Sequence, residues 1–408
     1  MSRQGPLIAL AVASVASIGG TRVSTIAIPW LVLTTTGSPV LTGLVGFAEM
    51  APYVLAKALG GPLIDRIGAR RISMWCDGLS AIAVTLVPLL FWAGMLSIWV
   101  LLPAVALIGV LRAPSDAAKQ ALVPTIAALG QVPLERVTGV MGASDRLAGT
   151  IGAASAGALI ALLGPAPALL ANALAFCLSG LVVAFGISGR QTQAEKRDVV
   201  TTYGTDFAAG WTVLSSDPVL KGLVIMIAVT NLFDQAYGVV LLPVWVKTAG
   251  LDVTWVGIFL ATFSGASILG AAIAAVIGAR LPRLLIYTIG FLFAGPMPMA
   301  IFAVDAPLSA IVAVLLVSGF AAGFLNPIIG AILFERIPSA MVGRVIALFG
   351  ALAWALMPFG GLYGGLLIDS YGIAIALGAT GLFYLIATLA PVALPSFRHM
   401  NRKGSVAA

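Results

Sequence analysis

The sequence carries very little charge for its length. Only 9% of its 408 residues are charged, and its mean hydropathy is +1.09. A typical soluble domain has roughly 25% charged residues. A soluble chain of this size needs more polar surface than this to stay dispersed. The composition therefore excludes a soluble globular protein and favours a chain that lives in lipid.

Groups for nucleophilic or metal chemistry are also scarce. The chain has one histidine, His399 in the basic C-terminal tail, and two cysteines, Cys76 and Cys177, both in apolar stretches. It has no H-E-x-x-H pattern and no glycine-rich G-K-[ST] phosphate loop. These absences argue against an enzyme with catalytic residues, a metal site or a cofactor, and against ATP as an energy source.

Long apolar runs, separated by short polar breaks, fill the chain. A helix of about 20 apolar residues crosses the hydrocarbon core, so these runs predict twelve transmembrane helices. The longest polar break begins at Ser188 and divides them into six and six. We therefore predict an all-α membrane protein with an N-terminal six-helix half (1–187), a cytoplasmic linker with a surface amphipathic helix (188–218), and a C-terminal six-helix half (219–408).

Basic residues fix the predicted orientation. With the N-terminus in the cytoplasm, the only Lys or Arg on the periplasmic side is Lys247. Four more lie inside spans: Arg22, Lys57, Arg112 and Arg146. The cytoplasmic loops and termini then hold Arg3, Arg66, Arg70, Arg71, Lys119, Arg136, Arg190, Lys196, Arg197, Lys221, Arg280, Arg283, Arg336, Arg344, Arg398, Arg402 and Lys403. The positive-inside rule therefore predicts both termini in the cytoplasm, and the net charge of +7 reflects topology rather than nucleic-acid binding.

A short phrase recurs at four predicted span ends, as GPLIDRIG (61–68), GALIALLG (157–164), AAIAAVIG (271–278) and GLLIDSYG (365–372). The phrases within each half are 96 and 94 residues apart (157−61 and 365−271). Spans 2 and 5 run in opposite directions, so the repeat within a half is inverted. The pattern predicts that each half consists of two inverted three-helix repeats.

The segment GPLIDRIGARR (61–71) resembles the loop signature G-x-L-x-D-R-x-G-R-[RK] of the major facilitator superfamily. The segments 112–124, 133–139, 207–220 and 335–345 resemble its drug-exporter branch, which includes macrolide, tetracycline and aminoglycoside efflux proteins. Span 5 departs from the antiporter signature G-P-x-x-G-G, since it reads GAASAG at 152–157. The resemblance implies the major facilitator fold. It also implies a gating motif in which Asp65 packs near Arg344 when the cytoplasmic side is closed, with the members Gly61, Asp65, Arg66, Gly68, Arg70, Arg71 and Arg344.

Ionisable groups inside spans are the sharpest candidates for function, because each is costly in lipid unless it is paired or hydrated. As proton-coupling candidates we take Arg22, Glu49, Arg112, Asp116, Asp145, Arg146 and Asp234, with structural ion pairs as the alternative. Lys57 and Asp77 are expected to be structural, with side chains that reach the cytoplasmic interface. The repeat equivalent of Arg112 is Asn326, so the second half is nearly neutral. The substrate-cavity candidates are Phe47, Asn231, Phe233, Tyr237 and Asn326.

Together these features predict a secondary active transporter that works by alternating access. The resemblance favours a proton-coupled exporter of lipophilic drugs or other amphipathic small molecules. A dedicated exporter of an endogenous metabolite such as a siderophore, or an uptake permease, remains the alternative. The expected setting is the bacterial inner membrane, where a monomer contacts the lipid bilayer, its small-molecule substrate and protons.

The charge distribution yields a test of topology. In a variant without Cys76 and Cys177, single cysteines introduced near Lys247 and Asp305 should react with an impermeant maleimide added outside intact cells. Cysteines introduced at 191–198 should react only after the cells are opened, because the positive-inside rule places the linker in the cytoplasm. The reverse labelling pattern would overturn the orientation.

Overall fold

The computed structural model describes residues 4–187, 203–277, 281–304, 306–338, 341–393, 395 and 397, without the side chains of 135, 203–209, 343, 344, 391 and 392. The regular structure of these residues is helical throughout. Helices satisfy their backbone hydrogen bonds within one segment, which a chain in lipid requires. Twelve helical segments are long and apolar enough to cross a membrane. The predicted all-α, twelve-span architecture is therefore confirmed, and the protein is a multi-pass membrane protein.

Eight of these spans are single helices. Spans 1 to 6 comprise Gly5–Thr36, Pro39–Leu59, Ala69–Trp92, Ile98–Gly130, Leu134–Leu163 and Pro165–Gly186. Span 8 is Thr254–Ile277 and span 12 is Ile373–Ala393. Two shorter helices, Gly61–Ile67 and Tyr203–Ser216, lie between spans.

Four spans of the second half are interrupted. Span 7 consists of Pro218–Ala236, a π-helical turn at Tyr237–Leu241, and Leu242–Thr248. Span 9 consists of Arg283–Ala294 and Pro296–Ala303, span 10 of Leu308–Gly323 and Leu325–Arg336, and span 11 of Val342–Trp354 and Phe359–Tyr371. Prolines at 296, 327 and 358 accompany three of these breaks, since proline removes a helical hydrogen bond.

Two predictions about polar segments have different outcomes. A helix is present at Tyr203–Ser216, but Trp211 is 48% exposed and Leu214 2% exposed, so these two residues do not share one exposed apolar face. Its position along the membrane surface stays a prediction. The placement of Lys119 in a cytoplasmic loop is wrong, because span 4 continues to Gly130 and Lys119 is buried inside it. Residues 188–202 of the predicted linker lie outside the described residues.

The repeated phrase has the same local geometry at three of its four sites. Gly68, Gly164 and Gly372 have φ values of 96°, 86° and 80°. The N–H of each donates to the carbonyl four residues earlier, on Ile64, Ile160 and Ile368, at 2.8 Å in every case. Each glycine thus ends one helix and begins the next within a single residue. Gly278, at the fourth site, lies outside the described residues.

The chain forms two compact units. The first contains Met1–Arg197 and Leu242–Ala261, and the second contains Asp198–Leu241 and Thr262–Ala408. The first unit thus includes the end of span 7 and the start of span 8. The predicted division into halves at 188–218 stays a prediction.

Side-chain caps fix several helix starts. The Asp217 carboxylate accepts from the N–H groups of Val219 and Leu220 at 2.8 and 3.2 Å, at the start of span 7. It also pairs with Arg336 at 2.8 Å, which ties the start of span 7 to the end of span 10. In the loop before span 8, the Thr254 hydroxyl and N–H donate to Asp252. These hydrogen bonds hold the pKa of the Asp252 carboxyl below its usual value.

The glycine junctions yield a prediction about stability. Gly372 combines φ 80° with ψ 166°, a backbone region that only glycine adopts readily. Gly372→Ala should therefore cost about 1–3 kcal/mol and lower the melting temperature in detergent, although no atom lies within 4 Å of the added methyl group.

Gly378→Ala is the matched control for Gly372→Ala. Gly378 lies in span 12 with equally open space around it, but it has helical geometry. Alanine there should leave the melting temperature unchanged or raise it slightly. Equal melting temperatures for the two variants would contradict the backbone argument.

Candidate functional site

Arg112 is the centre of a charged network in the first unit. Its Nη1 donates to Oε1 of Glu49 at 2.7 Å, and its Nε lies 3.9 Å from Oδ2 of Asp116. The Tyr53 hydroxyl donates to the same Asp116 oxygen at 3.0 Å. The guanidinium carbon stands 4.4 Å from the centre of the Tyr53 ring, within range of a cation–π interaction. We call these four residues the Arg112 network.

The positions of these residues along two helices explain why they meet. Glu49 and Tyr53 are one turn apart on span 2, and Arg112 and Asp116 are one turn apart on span 4, so each pair shares a helix face. A Cβ atom on Gly109 would lie 2.1 Å from the backbone oxygen of Glu49. Only glycine at position 109 lets the two backbones approach closely enough to join the pairs.

The Arg112 network is unbalanced in charge. When both carboxyl groups are ionised, two negative charges face one positive charge. The side chains of Arg112, Glu49 and Asp116 are 8%, 13% and 26% exposed, so water screens the imbalance poorly. Arg112 bonds one carboxylate at short range and leaves the other 1.2 Å farther away (3.9−2.7). The two carboxyl groups are therefore unequal partners of Arg112.

Lys57 is the fourth charged group here, and when it is counted with the Arg112 network, two positive charges face the two carboxyl groups. Its Nζ lies 5.6 Å from the centre of the Tyr53 ring, on the turn of span 2 after Tyr53. Its charge also interacts with that of Asp116. Lys57 therefore adds a positive charge near Asp116, the most exposed of the network's charged side chains.

The structure contradicts the expectation that Asp77 reaches the cytoplasmic interface. Asp77 is fully buried, and its carboxylate accepts from Lys119 at 3.0 and 3.1 Å, from Ser115 at 2.5 Å and from Ser179 at 2.6 Å. Lys119 is 4% exposed. Burying an unpaired carboxylate is costly, and this one is buried because a lysine and two hydroxyls compensate it. We call these four residues the Asp77 cluster.

The remaining candidates of the first unit form no ion pair with the Arg112 network, although Arg22 and Asp145 lie within electrostatic range of it. Arg22 on span 1 is exposed and lies against the glycines of span 5, with its Nη2 3.7 Å from the position of a Cβ on Gly149. Asp145 is exposed and Arg146 is half-buried. No ion pair joins either of them to another described side chain. Phe47 is half-buried on span 2.

The gating motif has one defined contact. The Arg70 guanidinium donates to the carbonyls of Ala184 and Ile187 at 2.5 and 2.6 Å, where it caps the C-terminal end of span 6. Asp65 is exposed, as are the other motif members Gly61, Arg66 and Arg71. The side chain of Arg344 lies outside the described ones, so its predicted approach to Asp65 stays a prediction.

In the second unit, aromatic rings surround the middle of span 7. Phe233 is buried, with its ring centre 5.5 Å from that of Tyr363 and 6.0 Å from that of Tyr384. Asp234, the next residue, is exposed, and its carboxylate interacts with the Tyr384 hydroxyl. The Asp234 carboxylate thus contacts one member of this aromatic group, Tyr384.

The remaining cavity candidates lie before and after this aromatic group. The Asn231 amide donates to the carbonyl of Ala353 on span 11 at 2.9 Å. Tyr237 opens the π-helical turn, and its ring centre is 5.9 Å from that of Phe302. Its buried hydroxyl has no hydrogen-bond partner among the described residues, which is unusual for a buried polar atom. Asn326 on span 10 is exposed.

Four functional candidates escaped the sequence analysis: Tyr53, Lys119, Ser115 and Ser179. A signal existed for Tyr53, which is one turn from Glu49, and for Lys119, which is three residues from Asp116. The serines gave none, because serine is common in apolar helices. In the part of the chain that the structure describes, no three His, Cys, Asp or Glu side chains are grouped so that they could hold a metal ion.

Comparison with known proteins identifies relatives over the whole chain. The sequence is 29% identical over 408 residues to the multidrug efflux pump Tap of Mycobacterium tuberculosis, covering 98% of this chain and 96% of that protein. It is 28% identical over 404 residues to the multidrug efflux pump Tap of Mycolicibacterium fortuitum, covering 98% of both proteins.

Solved structures share the fold at low sequence identity. The nucleoside transporter NupG superposes with a TM-score of 0.75 at 14% identity, covering 95% of this chain and 98% of that one. A bacterial homologue of the iron transporter ferroportin, in an inward-facing state, gives a TM-score of 0.72 at 17% identity, covering 97% of this chain and 100% of that one. The family model of the Major Facilitator Superfamily matches residues 10–359. With its twelve spans and full-length relatives, the chain belongs to the Major Facilitator Superfamily.

Proposed function

We propose that this transporter exports lipophilic, cationic or zwitterionic drugs by alternating access, driven by the uptake of protons. Two relatives that match the whole chain are named multidrug efflux pumps, which supports drugs as the substrate class. The observation that carries the proton coupling is the unequal pairing of Arg112 with Glu49 and Asp116.

The Arg112 network provides a proton site that changes helix contacts. In the ionised state Arg112 joins span 4 to span 2 through Glu49. A proton on Glu49 removes the charge that holds this bond, and Arg112 then favours Asp116, one turn along its own helix. One proton therefore converts a contact between two helices into a contact within one helix. Such a change can bias two conformations of similar free energy.

The second unit provides a surface for an amphipathic cation. Phe233, Tyr363 and Tyr384 present rings near Asp234, so an aromatic drug can stack while its ammonium group pairs with the carboxylate. The free Tyr237 hydroxyl offers a hydrogen bond to a polar group of the drug. We therefore assign Asp234 to substrate charge rather than to the proton. Asp145, Arg22 and Arg146 remain secondary coupling candidates.

The proposed setting is the bacterial inner membrane, with both termini in the cytoplasm and the protein acting as a monomer. The arginine and lysine distribution supports this orientation. Export from the cytoplasm then runs against the drug gradient, while protons move down theirs. Asp65 and Arg344 remain the proposed contacts of a cytoplasmic gate.

Neutralising the proton site should separate coupling from binding. Glu49→Gln and Asp116→Asn should each reduce protonophore-sensitive efflux of a fluorescent cationic dye at least tenfold, because the network loses its titratable imbalance. Energy-independent dye exchange should persist in part, since the substrate surface is unchanged. The measurement is dye efflux from energised cells, beside exchange in proteoliposomes.

Asp252→Asn is the control for these two variants, because asparagine caps a helix about as well as aspartate and Asp252 lies outside the spans. It should efflux like the wild type. Full protonophore-sensitive efflux in both Glu49→Gln and Asp116→Asn would refute the coupling assignment. If the wild type moves no dye or drug but moves one endogenous metabolite, the dedicated exporter replaces this proposal.

The substrate assignment makes a different prediction for Asp234→Asn. The amide keeps the shape but removes the charge, so affinity for a monovalent cationic dye should fall about tenfold or more. A single charge-assisted contact contributes about 1.5–3 kcal/mol. Affinity for an uncharged substrate of similar size should change little. Equal losses for both substrates, measured by equilibrium binding to purified protein, would refute a role in recognising charge.

A further inference from the structure

The Asp77 cluster has no part in the proton scheme above, although it contains a fully buried ion pair. We infer that Asp77 is a positioning residue, which fixes the turn of span 4 that carries Arg112 and Asp116 and so sets the proton affinity of the Arg112 network. This inference rests on the proposed proton coupling and adds residues to it.

The first argument is the arrangement of polar residues on span 4. At about 100° per residue, Arg112, Ser115, Asp116 and Lys119 fall within an arc of about 100° on one face of the helix. Arg112 and Asp116 bond to span 2, whereas Ser115 and Lys119 bond to Asp77 on span 3. The two sets interleave along the same two turns. A rotation or slide of span 4 that breaks one set must therefore disturb the other.

The second argument is a weakness in span 4 at this place. Pro114 lies inside the helix, between Arg112 and the residues that bond Asp77. Proline has no N–H, so the hydrogen bond to the carbonyl four residues earlier is missing there. The helix by itself therefore fixes the orientation of this turn less firmly than an unbroken helix would. The Asp77 carboxylate supplies the constraint directly after the gap.

The third argument is the completeness of the Asp77 cluster. Oδ1 of Asp77 accepts hydrogen bonds from Lys119 and Ser115, and Oδ2 accepts one from Ser179 and lies 3.0 Å from the Lys119 ammonium. Ser179 extends the cluster to span 6, so three helices meet at one carboxylate. Span 6 packs closely against span 3 here, since a Cβ on Gly180 would lie in van der Waals contact with Cβ of Asp77, at 3.5 Å. A satisfied, fully buried pair is a rigid anchor rather than a site that exchanges protons.

Different charged groups lie near the two sites. Asp77 is close to the Cys76 thiol on its own helix and to Lys119 on span 4. The Arg112 network is influenced by Arg22 of span 1, Lys57 of span 2 and Asp145 of span 5. Span 4 contributes residues to both sites, so we expect an effect of Asp77 on the network to pass through span 4.

The test measures protonation of Glu49 without relying on transport. A hydrophobic carbodiimide modifies carboxyl groups in their protonated form, so its reaction with Glu49 across pH, quantified by mass spectrometry on purified protein, gives a midpoint. Asp77→Asn, Lys119→Gln and the double variant Asp77→Asn/Lys119→Gln should each move this midpoint by about one pH unit or more in the same direction, because each releases the turn of span 4 that carries Arg112 and Asp116. Opposite shifts in the two single variants, cancelled in the double variant, would instead show that charge acts through space.

Two further variants cover the case in which the single substitutions prevent folding. Ser115→Ala/Ser179→Ala keeps the ion pair but removes two of its hydrogen bonds, and it should still shift the midpoint. Ser80→Ala is the control, because this buried hydroxyl lies one turn beyond Asp77 on the same face of span 3 and has no partner among the described residues. It should leave the midpoint unchanged.

Two outcomes would overturn the inference. One is a wild-type midpoint in Ser115→Ala/Ser179→Ala and in whichever single variants fold. The other is a pair of single charge variants displaced in opposite directions, with the wild-type midpoint restored in the double variant. Either can be distinguished from failure of the proposed function, which would appear as protonophore-insensitive efflux in the wild type.

Discussion

A charged side chain in the hydrocarbon core is stable only when a partner or water compensates it, and this constraint organises the first unit. Arg112 satisfies it with Glu49, Asp116 and the face of Tyr53, and Lys119 satisfies it with Asp77. Both arrangements depend on span 4, which contributes a member to each. The helices around it are therefore held by charge as well as by packing.

The two arrangements differ in what a proton can do. The Asp77 carboxylate has every partner it needs, and a proton there would break a balanced pair inside the protein. The Arg112 network has one carboxylate more than its arginine bonds at short range. On this contrast we base the proposed anchoring role of Asp77 and the proposed proton exchange at Glu49 and Asp116.

The sequence predicted the architecture well because its signals are local. The lengths of the apolar runs predicted twelve spans. The repeated phrase marked Gly68, Gly164 and Gly372, which share a backbone geometry with positive φ. The same locality explains the error at Lys119. A lysine near the expected end of an apolar run suggests a loop. In the structure the helix continues past Lys119, and the lysine is paired with Asp77 on span 3.

The sequence by itself determined which residues are charged inside spans, how many spans there are, and where helices must turn. The tertiary structure decided which charges meet. Glu49 and Arg112 are 63 residues apart, and Asp77 and Ser179 are 102 residues apart, so their pairing depends on how closely separate helices approach. Between spans 2 and 4 that approach depends on Gly109, where a Cβ would lie 2.1 Å from the backbone oxygen of Glu49. The effect of this glycine falls on another helix, so it leaves no periodic pattern in the sequence of its own helix.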